Sequence, residues 1–127
     1  MEISIRKAND VTIVDLRGRS TVNDSESEHL GQQLEKLIGE GAHKLLLNLG
    51  GLHQIDSSGV SVIVRTCVEL RSLGGDLKLL RPAGHALTVL SALHLLQVIE
   101  SYEEEGVAVA SFQLKGTAAR GATGLTR

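Results

Sequence analysis

The apolar and polar positions divide the chain into short blocks. Residues 3–6 and 11–17 are β-branched runs on either side of Ala8-Asn9-Asp10, a cluster with turn chemistry, and they predict an opening strand hairpin closed by Gly18. Asn23, Asp24 and Ser25 are each suited to cap a helix, and beyond them Leu30, Leu34, Leu37 and Ile38 recur at helical spacing until Gly39 and Gly41. A first amphipathic helix is expected there.

Residues 44–49 are apolar at nearly every position, which suits a central strand covered on both faces, and Gly50-Gly51 is expected to end it. After Asp56-Ser57-Ser58-Gly59, one helical face is traced by Val60, Ile63, Val64, Cys67 and Val68, with Ser61, Arg65, Thr66 and Glu69 elsewhere around the turn. Gly74-Gly75 stops that helix. Residues 76–80 read as a strand, and Pro82 marks a helix start. Ala86, Leu87, Val89, Leu90 and Leu93 form a third helical stripe, and residues 98–102 a last strand. Glu103-Glu104-Glu105 has the acidity of a first helical turn, with residues 107–112 as a short closing helix. Alternation of strand and helix after a hairpin predicts an α/β fold with a parallel core and right-handed crossovers.

Composition narrows the class. The chain has 127 residues, the usual size of one domain, with 42% apolar and only 2% aromatic residues, so Leu, Val, Ile and Ala must build the core. The expected division is one domain over residues 1–112 and a flexible tail over residues 113–127. Three of the thirteen Lys/Arg lie in that tail and none of the fifteen Asp/Glu does, so the folded part is mildly acidic. A clustered basic face and stacking aromatics are both missing, which argues against nucleic acid as a partner. The lone Cys67 cannot form an internal disulfide, residues 1–7 lack the features of a secretory signal, and no apolar run suits membrane insertion. A cytoplasmic setting is expected.

The segment with chemistry is Asp56-Ser57-Ser58-Gly59, placed between a buried strand and an amphipathic helix. Side chains there project from the end of the sheet where α/β proteins commonly place function. Asp56 or Ser57 can accept from the first N–H groups of the helix, and Gly59 allows close backbone approach. Two readings stay open at this point: an ordinary N-cap, or a hydroxyl at Ser58 that takes a phosphate where a helix N-terminus tolerates a dianion.

In these features the chain resembles the STAS domain and, within that group, the bacterial anti-sigma-factor antagonists. The resemblance is carried by the hairpin ending in Gly18, by Leu45-Leu46-Leu47-Asn48-Leu49, and by Ile55-Asp56-Ser57-Ser58-Gly59-Val60 running into Ser61-Val62-Ile63. Gly74-Gly75-Asp76-Leu77 and Leu93-His94-Leu95-Leu96-Gln97-Val98-Ile99 complete it. It implies a four-to-five-stranded mixed sheet flanked by about four helices. It also implies a cycle in which the unmodified protein binds an anti-sigma factor, which is itself a serine kinase, and so frees the sigma factor. By position in the motif Ser58 is the phosphoacceptor, with Asp56, Ser57 and Gly59 beside it in the partner-binding surface. Family members carry an acidic residue soon after the glycine closing the second strand. Here the stretch after Gly18 is longer, and Asn23 or Asp24 takes that place. The kinase brings nucleotide and magnesium, so the chain itself is expected to need no cofactor and no metal, and a serine phosphatase resets the switch. A second reading keeps the fold and makes the chain a scaffold subunit of a larger sensory or transport-linked assembly.

Other signals carry less. His53, Asp56 and Ser58 invite a hydrolase reading, yet no Gly-x-Ser-x-Gly elbow is present and nearness in sequence does not create a triad, so no catalytic residue is assigned. His29, His43, His85 and His94 are dispersed without ligand spacing and read as surface or packing residues. Lys115-Gly116-Thr117 lacks the rest of a phosphate loop. Cys67 lies on an apolar stripe and is expected to pack.

Overall fold

The computed structural model describes residues 2–19 and 24–114. The opening hairpin forms as expected from β1 (Glu2–Ala8) and β2 (Val11–Arg19), which pair antiparallel across a turn where Asn9 takes a φ of 58°. Then follow α1 (Asp24–Gly39), β3 (Lys44–Gln54), α2 (Ser57–Ser72), β4 (Asp76–Leu80) and α3 (Gly84–Ala92). A 3-10 turn at Leu95–Gln97, β5 (Ser101–Tyr102) and α4 (Glu105–Leu114) complete the chain. The five strands lie in sequence order, β2 to β5 parallel, which is the mixed sheet with four helices that the pattern predicts.

Strand alternation sorts the Leu, Val and Ile residues into two cores. Val14, Leu16, Leu45, Leu47, Leu49, Leu77 and Leu79 face Leu30, Leu34 and Ile38 of α1, Ile63, Cys67 and Leu70 of α2, and Ala86 and Leu90 of α3. Val11, Ile13, Leu46 and Leu80 face Ala108, Val109 and Phe112 of α4. Each fully buried Leu, Ile or Phe contributes about 1.5–3 kcal/mol of burial free energy, so β3, with Leu45, Leu46, Leu47 and Leu49 all sealed, is the spine of the fold.

The α4 side also buries a charge. Lys78 Nζ donates to Ser111 Oγ at 2.8 Å and pairs with Glu100 at 2.9 Å, and it sits 4.7 Å from the centre of the Phe112 ring. The only phenylalanine in the chain thus packs both apolar strand and ammonium.

Four expectations are corrected. Gly50-Gly51 does not end β3: Gly51, Leu52 and Gln54 continue the pairing with Arg17, Gly18 and Arg19 through a register shift, and Leu52 is buried. The last strand is shorter than residues 98–102, because Val98 closes the 3-10 turn and pairing starts only where Leu79 N–H meets the Glu100 carbonyl. The third helix begins at Gly84 rather than at Pro82. On α2, Val68 is 63% exposed, whereas Thr66 turns inward and donates its hydroxyl to the Val62 carbonyl at 2.7 Å. Among the described residues, no helix is long and apolar enough to cross a membrane. Helix α4 runs on through Gln113 to Leu114, and the rest of the expected tail, 115–127, lies outside the described residues.

Candidate functional site

β3 delivers the chain to the carboxyl edge of the sheet, where Ile55 is buried and anchors the corner into the core. Asp56 then adopts extended backbone (φ −104°, ψ −178°) and caps α2, its Oδ1 accepting from the Gly59 N–H at 2.9 Å while its carbonyl accepts from the Val60 N–H at 3.0 Å. Of the two residues expected to cap, Asp56 does so. Ser57 opens the helix and is exposed, Ser58 is half-buried, and Gly59 and Val60 are buried. The first turn of α2 is therefore held from both sides.

Two other elements converge on this corner. Gly18 pairs with Leu52 and Arg19 with Gln54, so β2 ends at the same edge as α2 begins. From the other side, the first turn of α3 brings His85, whose Nδ1 accepts from the Ile55 N–H at 3.4 Å. That acceptance requires the tautomer with the proton on Nε2. In the sequence His85 reads only as a surface or packing residue, and nothing in its neighbours marks it. Of the pair Asn23 and Asp24, Asp24 is the first residue of α1, and Asn23 lies outside the described residues.

The surroundings define what the site can do. The arrangement presents an alcohol in the first turn of a capped helix, the end where the helix dipole favours negative charge. Among the described residues, no group of three or more His, Cys, Asp or Glu is placed to hold a metal ion. Cys67 is buried two turns further along α2, and burial pushes its thiol pKa up, away from the thiolate that redox chemistry uses.

Comparison with known proteins finds the same fold and family. The family described as STAS domain matches residues 2–108. A candidate anti-sigma factor antagonist of Bordetella bronchiseptica, BtrV, is 26% identical over 113 residues, 89% of this chain and 96% of that protein. The crystal structure of a candidate anti-sigma factor antagonist from Thermotoga maritima superposes with a TM-score of 0.81 at 21% identity, covering 87% of this chain and 94% of that one. The Bacillus cell fate determinant SpoIIAA, an anti-sigma factor antagonist, has been solved in its unphosphorylated and phosphorylated forms. The phosphorylated form matches with a TM-score of 0.68 at 20% identity, over 87% of this chain and 99% of that one. At these identities the solved structures bear on the fold alone.

Proposed function

The chain belongs to the STAS domain family, among the anti-sigma factor antagonists, and from that premise we propose that it is a partner-switching regulator controlled at Ser58. Its unphosphorylated form binds an anti-sigma factor with serine-kinase activity and releases the sigma factor. In that complex the kinase transfers the γ-phosphoryl group of ATP to Ser58 Oγ, the hydroxyl proton leaves, and ADP is the other product. A serine phosphatase hydrolyses the ester and restores the binding form. Asp56, Ser57, Ser58 and Gly59 form the centre of the contact, with Asn23 or Asp24 supplying the polar group beside it.

The observation that carries this reading is the position of Ser58: half-buried, in the first turn of a helix whose cap is already satisfied by Asp56. A side chain so placed is close enough to the surface to meet a kinase and fixed enough to belong to a docking face. Phosphorylation adds about 1.5–2 negative charges there. Apposing like or unpaired charge across an interface costs several kcal/mol, and about 2.8 kcal/mol already lowers affinity a hundredfold, so no rearrangement of the fold is needed. The chain's part in the chemistry is to present the alcohol.

The test mixes the protein with the anti-sigma factor encoded nearest to it and with ATP and magnesium, and follows mass and complex formation together. One added phosphoryl group on Ser58 and parallel loss of the complex are expected. Ser58→Ala should bind and stay unmodified, and Ser58→Asp should bind at least about tenfold more weakly. Phosphorylation that persists unchanged in Ser58→Ala removes the site assignment.

A further inference from the structure

Gly31 stands in the middle of α1, where glycine weakens a helix, and neither backbone nor packing demands it. Its φ lies outside the left-handed region, and a Cβ there would meet Arg65 Nη2 at 3.6 Å and Val62 Cγ2 at 3.7 Å, ordinary contact distances. What the missing side chain does is open a groove of about 380 Å³ between α1 and α2, lined by Gly31, Glu35, Val64, Arg65, Val68 and Glu69. Val68, 63% exposed, is the aliphatic side chain left in water beside it.

The groove lies in line with Ser58. At 3.6 residues per turn, Ser58, Ser61, Arg65, Val68, Glu69 and Ser72 fall within an arc of roughly 100° on α2, with Val68 about 15 Å along the axis from Ser58. From Ser61 onward every one of these residues is exposed. Of the charged residues that line the groove, Glu35 on α1 and Glu69 on α2 are acidic and Arg65 is the one cation, and Glu28 stands one turn before Gly31 on α1. The complement of such a groove is an aliphatic side chain flanked by Lys or Arg.

We propose that the protein docked at Ser58 continues down this face of α2 and seats in the α1–α2 groove a segment carrying one aliphatic side chain between basic residues. The proposal rests on the reading of Ser58 given above, and deepens it by naming a second contact and its chemistry. Ser58 then governs release, and the groove governs which partner is held.

The test uses the full chain and the anti-sigma factor of the phosphoryl-transfer experiment, with affinity measured by titration calorimetry. Gly31→Leu fills the groove while improving the helix, so melting temperature should hold or rise as affinity falls about tenfold. Val68→Asp should weaken binding by a similar factor of about ten. Glu35→Lys combined with Glu69→Lys should weaken it most at low salt and flatten its salt dependence. Leu73→Asp, at the end of α2 outside the groove and 48% exposed, should stay within about twofold of wild type. If Gly31→Leu and Val68→Asp also stay within about twofold while Ser58→Asp weakens binding, the groove proposal is wrong and the Ser58 reading stands. Loss of affinity in the groove variants with none in Ser58→Asp would keep the groove as a contact and remove Ser58 as the control point. Sedimentation of the protein alone supplies a further arm: a dimer that Val68→Asp dissociates would make the occupant a second copy and overturn the proposal.

Discussion

One carboxylate sets how α2 starts. Asp56 Oδ1 satisfies the Gly59 N–H at 2.9 Å, and Asp56→Ala leaves that donor without its partner at the head of a sixteen-residue helix. The expected loss is about 1 kcal/mol, seen as a lower urea midpoint with an unchanged slope, and Asp56→Asn should recover most of it. Because the same cap fixes the turn that carries Ser58, Asp56→Ala should also slow phosphoryl transfer to Ser58, measured by mass spectrometry at a temperature where both proteins are folded. This much was legible in the chain, since a cap and the N–H it serves are only three residues apart and their chemistry is local. His85 was not legible. Its contact with the Ile55 N–H joins residues thirty positions apart, and only the docking of α3 brings them together.

At the scale of elements, the periodicity predicts every helix and strand but misjudges some ends and one face. α2 buries Val60, Val62, Ile63, Thr66, Cys67 and Leu70, an arc rotated from the expected stripe. Hydropathy counts Thr66 as polar, yet its hydroxyl bonds the Val62 carbonyl and leaves only a methyl group to be packed. The glycine pair in β3 misleads for a related reason: Gly usually interrupts a strand, but here β2 shifts register alongside it, a feature of the pairing rather than of either segment. α4 allows a quantitative check. Phe112 is 1% exposed and is the largest side chain that α4 buries in the core, so Phe112→Ala should cost about 3–5 kcal/mol by chemical denaturation. Lys78→Met in the same layer should stay within about 1 kcal/mol of wild type, since removing a buried ammonium also removes its desolvation penalty.

Across the whole molecule, the sheet order follows from hairpin and crossovers, whereas the ionic cluster that ties its edge to α4 has no signature in the chain. Arg6 on β1 reaches Asp15 on β2 at 2.7 Å and Glu105 on α4 at 2.6 Å, and Asn48 on β3 donates to Asp15 at 2.7 Å. Four elements share one guanidinium network. The hydrogen bonds from Arg6 hold the Asp15 and Glu105 carboxyls below their ordinary pKa values, so both stay ionised in the folded state at a pH where the unfolded chain has begun to take up protons. Depressed carboxylates of this kind stabilise fully above their unfolded pKa values, near 4 by the usual reference, and the contribution fades as pH falls through the folded values. Arg6→Gln should therefore lose about 1 kcal/mol at neutral pH, a figure kept small because the Arg6 side chain is 43% exposed and screened by solvent. The gap between wild type and variant should stay constant from about pH 8 to 5 and close as pH drops below about 4, leaving the variant with the shallower acid limb. Raising the salt to about 1 M should shrink the gap at neutral pH. A gap that instead persists undiminished at about pH 2 would mean that Arg6 acts through packing of its stem and not through the two carboxylates.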